Sequence, residues 1–413
     1  SQQHYSPKMM ELYQEQERPI RYNHGGFELY EKTENFMHIA FNGWFWDQPN
    51  TGSGQYLRNL ILQLRRVSPE LQMTLIVPAS TGELELVPQG VEVVKVNAGR
   101  GNLGKILFEQ RGYPAAVKRL NADIAHVPYW GPPLSSPARL VTSILDVIAL
   151  ELPVYASSWG AKLYTSLVST AAKGSAHIIT LSEAAKADII RHLDLPSEKI
   201  TPIYLGVEER FHPRMGAERD AEVREKYHLP DDFVLYLGGF DRRKNVNDLL
   251  LAYTYVAQGV SDKYPLVLAG KEPQWGSTPV FPDLPAYARE LKIDDLVQWT
   301  GFVDEADKPS FYRLAKVFAY PTLYEGFGLP ALEAMASGTP VVAMDIPVMQ
   351  ELVGEGAFLV ENARKMAGSI IALLEQASFR QSMVNQGLSQ ATRYSWRKTA
   401  RETLAVYEQV MAM

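Results

Sequence analysis

The stretch LYEGFGLPALEAMASGTPVV, residues 323–342, decides how this chain reads. Two carboxylates, Glu325 and Glu333, flank a bend that contains Gly326 and Gly328. Pro330 suits the first turn of a helix, where its missing N–H leaves nothing unpaired. Gly338 suits the position just past the helix end, and PVVAM then opens a new strand. The bend is therefore a strand-to-helix turn at the carboxyl side of a parallel sheet, where open α/β folds take their ligands. Glycine lets a ligand approach the backbone closely, and free N–H groups at a helix start attract anions. A carboxylate accepts from two adjacent hydroxyls at once. An anion held between two such diol readers describes a sugar nucleotide. The plainer reading gives Glu333 to the helix dipole and leaves Glu325 as a solvated loop residue.

A second turn carries the opposite charge. LYLGGFDRRKN, residues 235–245, places Gly238 and Gly239 at a strand end, ahead of Arg242, Arg243 and Lys244. Cations at a helix start oppose its dipole, so an anionic partner would justify them. The planar fork of arginine and the point charge of lysine neutralise a diphosphate without a metal.

Working outward, 413 residues are too many for one average domain, and two are expected. Hydrophobic residues make up 46% and charged residues 21%, which excludes a disordered or fibrous chain. A net charge of −6 argues against a general nucleic-acid binder. There is no cysteine, which removes disulfides, thiolate nucleophiles and cysteine-ligated zinc. That usage points to the cytoplasm, including the inner face of the membrane. No apolar run approaches the roughly 18–20 residues that span a bilayer.

Residues 1–35 are polar, with a helical pattern over MMELYQEQE, and read as an extension. From His38 short strands alternate with helical segments. HIAFNGW, MTLIVPA, VEVVKV, ADIAHV, RLVTSIL and AHIITL form one series, and FVLYLGG, PLVLAG, LVQWTG, VFAYP, PVVAM and AFLV form a second. Helices such as GQYLRNLILQLRRV and KNVNDLLLAYTYVA lie between them. Strands separated by helices imply βαβ units and parallel sheets. The expected fold is α/β, with two Rossmann-like doubly wound domains and a cleft between them. The boundary is expected within ITPIYLGVEERFHPR, residues 200–214. A first domain thus spans 36–206 and a second 207–394, with a closing helix over 395–413.

These residues resemble glycosyltransferase family 4, the retaining enzymes of GT-B fold. EGFGLPALE has the family's spacing of two glutamates. GGFDRRKN looks like its phosphate-binding turn and LVLAGK like the next strand. GFVDEADKPSFYRLAKVFAYPTLYEGFGLPALEAMASGTPVV follows its C-terminal signature almost continuously. LSEAAKADIIRHLDLPSEKITPIYLGV resembles the approach to the hinge, and YSWRKTARETLAVYEQV the helix that crosses back onto the first domain. The likeness runs from about residue 36 onward, and in the first half it is mainly one of pattern.

The resemblance implies transfer of a hexose from a UDP- or GDP-linked donor to a saccharide or glycolipid acceptor. Glu333 would hold the ribose hydroxyls and Glu325 the donor sugar. Backbone N–H groups of Phe327, Gly328 and Leu329 would reach the sugar or the distal phosphate. Arg243 and Lys244 would bind the diphosphate beside Gly239, with Arg242 as a helper. Backbone near Phe302 and Val303 would read the base. Gly52, Ser53 and Gly54 would face the phosphates across the cleft and guide the acceptor. No metal and no cofactor beyond the sugar nucleotide is implied. The RKN form of the cationic turn leans towards mannose-type donors. One departure stands out: many relatives carry a histidine where TSILDVIALELP has Leu145, just before Asp146. His126 is an alternative imidazole for that neighbourhood or a structural residue at a strand end.

Rival motifs are weaker. GRGNLGK, residues 99–105, fits a phosphate-binding loop, yet Ile106 replaces the hydroxyl that would meet Mg²⁺. DEAD, residues 304–307, reads as the acidic start of a polar helix. TGSG after the first strand lacks the third glycine of a dinucleotide fingerprint. A nucleotide-binding scaffold without transferase activity would be expected to have lost Glu325 or Lys244, and both are present. Lys105, Arg111, Lys118 and Arg119 read as a solvated amphipathic face, or as contacts to an anionic acceptor or a membrane surface.

Overall fold

The computed structural model describes residues 37–413 except 83, 100, 157 and 261–263. The extension over residues 1–35, with its MMELYQEQE segment, lies outside the described residues.

Two parallel sheets organise the chain. The first contains β1 (His38–Asn42), β2 (Gln72–Pro78), β3 (Val91–Val96), β4 (Ile124–Val127), β5 (Arg139–Ser143), β6 (His177–Thr180) and β7 (Ile200–Pro202). Its order is β3-β2-β1-β4-β5-β6-β7. The second contains β8 (Val234–Leu237), β9 (Leu266–Ala269), β10 (Val297–Gly301), β11 (Val317–Tyr320), β12 (Val341–Met344) and β13 (Ala357–Val360), in the order β10-β9-β8-β11-β12-β13. Central strands such as β1 and β8 are buried along their whole length, because helices cover both faces of a doubly wound sheet. Every strand expected from the sequence is present. β7 is the difference: the expected linker 200–214 opens with three residues that pair with β6. The order reverses between β1 and β4 and between β8 and β11, which puts a ligand-binding crevice at the carboxyl ends of these strands.

The helix Gly52–Val67 turns Tyr56, Leu57, Leu60, Ile61 and Leu64 inward, at the spacing of one helical face. The closing helix, Trp396–Ala412, packs against it, with the Tyr56 and Trp396 rings 6.4 Å apart. At the entry to the second domain the chain passes backbone to backbone. A Cβ on Gly206 would lie 1.8 Å from Trp396 N, and Thr399 Oγ1 donates to the Tyr204 carbonyl at 2.7 Å. His126, at the end of β4, completes the clamp. One ring nitrogen lies 2.6 Å from the Tyr407 hydroxyl of the closing helix and the other 2.9 Å from Ser143 Oγ. His126 is fully buried and both of its ring nitrogens are occupied, so it is a structural residue with no approach to a substrate.

Contacts between the domains converge on the turn that carries Glu325. A Cβ on Gly326 would stand 2.2 Å from the Leu145 carbonyl oxygen and 3.0 Å from Asp146 Cβ. Ser182 Oγ donates to the Gly326 carbonyl at 2.9 Å while capping the helix Glu183–Leu193. Tyr324 donates to Asp188 Oδ2 at 2.9 Å. From the second domain, the Glu351 carboxylate accepts from the N–H groups of Glu183 at 2.7 Å and Ala184 at 3.1 Å, and from the Tyr204 hydroxyl at 2.6 Å. A carboxylate at a helix N-terminus satisfies orphan donors and meets the positive end of the dipole.

Two outcomes follow from this packing. Burial pushes the His126 imidazole from 6.5 down to about 3. Because the unfolded chain takes that proton first, the neutral ring's contribution is full above 6.5 and lost as pH falls towards 3. Urea unfolding should therefore show a loss of about 2 kcal/mol from this group between pH 7 and pH 5, absent in His126→Gln; equal slopes in both proteins would contradict it. Gly326→Ala should spread the domains, seen as a larger radius of gyration in X-ray scattering, whereas Gly52→Ala, with nothing within 4 Å, should leave it unchanged.

Candidate active site

β11 ends at Tyr320, and the chain then bends through Thr322, Glu325 and Gly328 into the helix Leu329–Ala336. Gly328 adopts φ 111°, open only to glycine, and a Cβ there would lie 2.2 Å from the Met349 methyl. The close approaches at Gly326 and Gly328 are therefore to protein, Leu145 and Met349, where the sequence suggested a ligand. Phe327 is buried against Tyr204 and Tyr394, so only its main chain is placed to serve a ligand. The N–H groups of Phe327, Gly328 and Leu329 have no hydrogen-bond acceptor among the described residues.

The second turn folds onto the first. Arg242–Lys244 form a single 3₁₀ turn after β8, ended by Asn245 at φ 55°. Lys244 Nζ pairs with Glu325 Oε1, Arg243 Nη1 lies 2.9 Å from the same oxygen, and Thr322 Oγ1 donates to it at 2.9 Å. Glu325 Oε1 thus takes every aligned hydrogen bond and ion pair, and Oε2 accepts no aligned bond among the described residues, with the buried Tyr320 hydroxyl beside the carboxylate but not aligned to it. Burial raises the Glu325 carboxyl, but the Lys244 and Arg243 charges outweigh it and hold the group below its usual range. Arg243 is also flanked by Asp241, with Nε 3.3 Å from Oδ1 but not aligned for a hydrogen bond. Two cations thus face two carboxylates. Gly239 is exposed at the rim of this cluster, while the Arg242 side chain is exposed and outside any ion pair among the described residues.

Glu333 lies one helical turn further in. Tyr312 donates to its Oε2 at 2.9 Å, and Oε1 has no protein partner among the described residues. Burial raises this carboxyl above its usual range, against the charges of Lys308 and Arg210. Glu325 and Glu333 are therefore built alike: one oxygen is held by the protein and the other is free. Phe302 follows β10 and is exposed, while Val303 is buried.

The first domain contributes its own side. Gly52 is exposed at the start of its helix, with open space around it. Ser53 is half-buried, whereas Gly54 is buried, its N–H bound to Thr51 Oγ1 at 3.1 Å. A Cβ on Gly54 would lie 2.1 Å from the Gln48 carbonyl oxygen, so this glycine serves packing. Leu145 is half-buried with its carbonyl against Gly326. Asp146 is raised by burial and sits within the field of Arg243 and Glu325. Tyr155, which the sequence does not signal, reaches across: it donates to Asp241 Oδ1 and accepts from Arg243 N–H at 3.2 Å. Burial and the Asp241 hydrogen bond push its phenol up to about 12, so it remains a donor.

The rival motifs dissolve in the structure. Asp304 and Asp307 each lie 2.7 Å from Lys226 Nζ, and Asp307 is buried against Arg219 at 2.8 Å. DEAD is thus an ion network rather than a solvated helix start. Residues 101–107 form a helix whose Gly104 is packed against Gly99. Arg111, Lys118 and Arg119 are exposed as expected, but Lys105 is paired with Glu109.

Comparison with known proteins places the fold in a family. Residues 219–390 match the family Glycosyl transferases group 1, and residues 50–211 match Glycosyltransferase Family 4. The chain is similar to O-antigen chain mannosyltransferase B of Escherichia coli, 28% identical over 87% of this chain and 96% of that protein. Among solved structures it resembles sucrose-phosphate synthase from Thermosynechococcus elongatus, with a TM-score of 0.70 and 21% identity over 91% of this chain and 99% of that one. It also resembles Anabaena Alr3699/HepE in complex with UDP-glucose, with a TM-score of 0.67 and 18% identity over 90% of this chain and 100% of that one. Two parallel-sheet domains with a closing helix returned to the first make up the GT-B fold, and with both halves matched the chain is a glycosyltransferase of family 4.

Proposed function

We propose that the protein transfers a hexose, with retention of configuration and without a metal, from a nucleoside diphosphate sugar of the GDP-mannose or UDP-glucose type. The acceptor is a hydroxyl of a saccharide or glycolipid. The observation that carries this reading is the matched pair of half-occupied carboxylates on either side of a cationic turn. Glu333 Oε1 accepts the ribose hydroxyls, with main chain at Phe302 and Val303 against the base. Glu325 Oε2 accepts hydroxyls of the sugar. A mannose-type donor is favoured by the RKN turn and by the name of the E. coli relative.

Arg243 and Lys244 change partners when the diphosphate binds. In the free protein they are balanced by Glu325 and Asp241; the diphosphate brings more negative charge and draws them towards it. The N–H groups of Phe327, Gly328 and Leu329 meet the distal phosphate at a helix start. As the bond from C1 to the diphosphate oxygen breaks, its electron pair leaves on that oxygen, where these cations and N–H groups stabilise it. The acceptor hydroxyl attacks C1 from the same face, and its proton passes to the departing phosphate oxygen. Gly52 and Ser53 lie on the acceptor side, and Leu145 removes an imidazole from that neighbourhood. Orientation by two closed domains, rather than a protein nucleophile, supplies the rate.

Thermal unfolding with UDP or GDP should rise without added metal and be insensitive to EDTA. A ligand at 100 times its dissociation constant adds about 2.7 kcal/mol, and Glu333→Ala should remove most of this. Stabilisation that requires Mg²⁺, or a full response in Glu333→Ala, would overturn the assignment. The stereochemistry has its own test. With the donor that binds, NMR of the product should show the anomeric configuration of the donor; inversion would reject the retaining mechanism.

A further inference from the structure

The ion cluster at the donor turn contains a hydroxyl that its present arrangement does not use. Tyr320, the last residue of β11, is buried, and its Oη has no aligned hydrogen-bond partner among the described residues. Its ring is fixed: it stacks on Phe318 with centroids 5.8 Å apart and lies 5.7 Å from Lys244 Nζ. The hydroxyl stands beside the Glu325 carboxylate, whose Oε1 is already filled by Lys244, Arg243 and Thr322. Burial, with that charge beside it, pushes the phenol well above its usual range, so it keeps its proton and stays a donor. Closed to solvent, it cannot reach a ligand, and an acceptor has to come from within the protein. Buried donors without acceptors are rare and ask for an explanation.

Charge balance supplies one. Two cations face two carboxylates here, and a diphosphate that draws Arg243 and Lys244 to itself leaves both carboxylates short of partners. A buried charge stripped of its partners is strongly destabilising, and these two would also face the incoming anion. Asp241 keeps a donor throughout, because the Tyr155 hydroxyl already donates to its Oδ1. Glu325 keeps Thr322 but loses two charged donors from Oε1. The other titratable groups in its field are Asp146, which repels it, and the Tyr236 phenol, which is committed to the Gly239 carbonyl. Of these groups, Tyr320 is the one with a hydrogen to give.

We propose that Tyr320 is a positioning residue for donor binding: when the diphosphate draws Lys244 and Arg243 off Glu325, the Tyr320 hydroxyl turns onto Oε1 and holds the carboxylate with Oε2 towards the sugar. The proposal rests on the transferase reading above and adds to it the group that replaces the departing cations. No proton changes hands in the exchange. One aligned acceptor is gained by a hydroxyl that had none, as one carboxylate oxygen loses its ion pairs.

The test compares Tyr320→Phe with the wild type, both as the whole chain, using whichever of UDP or GDP the wild type binds. The variant keeps the ring and removes only the unused hydroxyl, so without nucleotide it should melt at the same temperature as the wild type or higher. Its affinity for the nucleoside diphosphate should fall about tenfold, the scale of one hydrogen bond to a charged group. Affinity for the parent nucleoside, followed by ligand-observed NMR, should move less than about twofold. The diphosphate deficit should narrow to about threefold or less from about pH 8 to about pH 6, because a buried carboxylate that lacks a donor takes up a proton instead. Tyr253→Phe removes a buried hydroxyl bonded to the Tyr264 carbonyl. It should do the reverse, lowering the melting temperature and leaving diphosphate affinity unchanged. Unchanged diphosphate affinity in Tyr320→Phe, an equal loss for the nucleoside, or a deficit that does not narrow with pH overturns the role. Should the variant not fold, a crystal structure of the wild type with the diphosphate decides. Tyr320 Oη on Glu325 Oε1 supports the exchange, and Lys244 still on that oxygen overturns it. A wild type that binds neither UDP nor GDP rejects instead the transferase reading beneath it.

Discussion

One carboxylate oxygen, Glu325 Oε1, gathers Lys244, Arg243 and Thr322 from two turns that are separated in sequence and adjacent only through the second sheet. Buried charges persist only when paired and hydrogen-bonded, so this contact fixes the relative height of the β8 and β11 loops. The cations cannot stray, because Asp241 holds Arg243 from the other side. The carboxylate cannot take up a proton readily, because both cations depress it. The two turns are therefore held together as a balanced ion cluster.

The first domain reaches that cluster by a different chemistry. Tyr155, Ser182 and Asp188 offer neutral or singly charged hydrogen bonds to the turns of the second domain. A neutral bond of this kind is worth about 1 kcal/mol and one to a carboxylate about 1.5–3 kcal/mol, so the joint is held by a few modest contacts. The other end of the molecule is the firm one. There His126, Tyr407 and Ser143 form a fully satisfied polar network inside an apolar wall, and Gly206 runs in backbone contact with Trp396. Networks of this sort specify one arrangement because any slip leaves a buried group unpaired.

Much of this was legible in the sequence, for identifiable reasons. Parallel strands buried on both faces write themselves as short apolar runs, such as HIAF and VLYL, and the glycine and proline of the 323–342 stretch punctuate a turn and a helix. β7 escaped because ITP is three residues long and ends in the amino acid most associated with linkers. The pairing of Lys244 with Glu325 was out of reach, since no local pattern links residues 81 apart. Gly326 and Gly328 were rightly read as points of close approach, but a glycine says only that something comes near. The something proved to be a carbonyl and a methionine. Tyr155 lies in a stretch without period or motif. Lys105 did carry a signal: Glu109 stands four residues on, the spacing at which opposite charges meet on a helix.

The Glu351 carboxylate has a consequence for how such chains diverge. It belongs to the second domain, yet it completes the start of a helix in the first and holds a tyrosine at the passage between them. Neither half is a finished module by itself. Recombination between distant relatives, which could in principle exchange a donor half for another, would separate Glu351 from Glu183 and Gly326 from Leu145 at a stroke. Specificity in this lineage is then expected to drift by loop substitution within an inherited pair of halves, with these joints descending as one set.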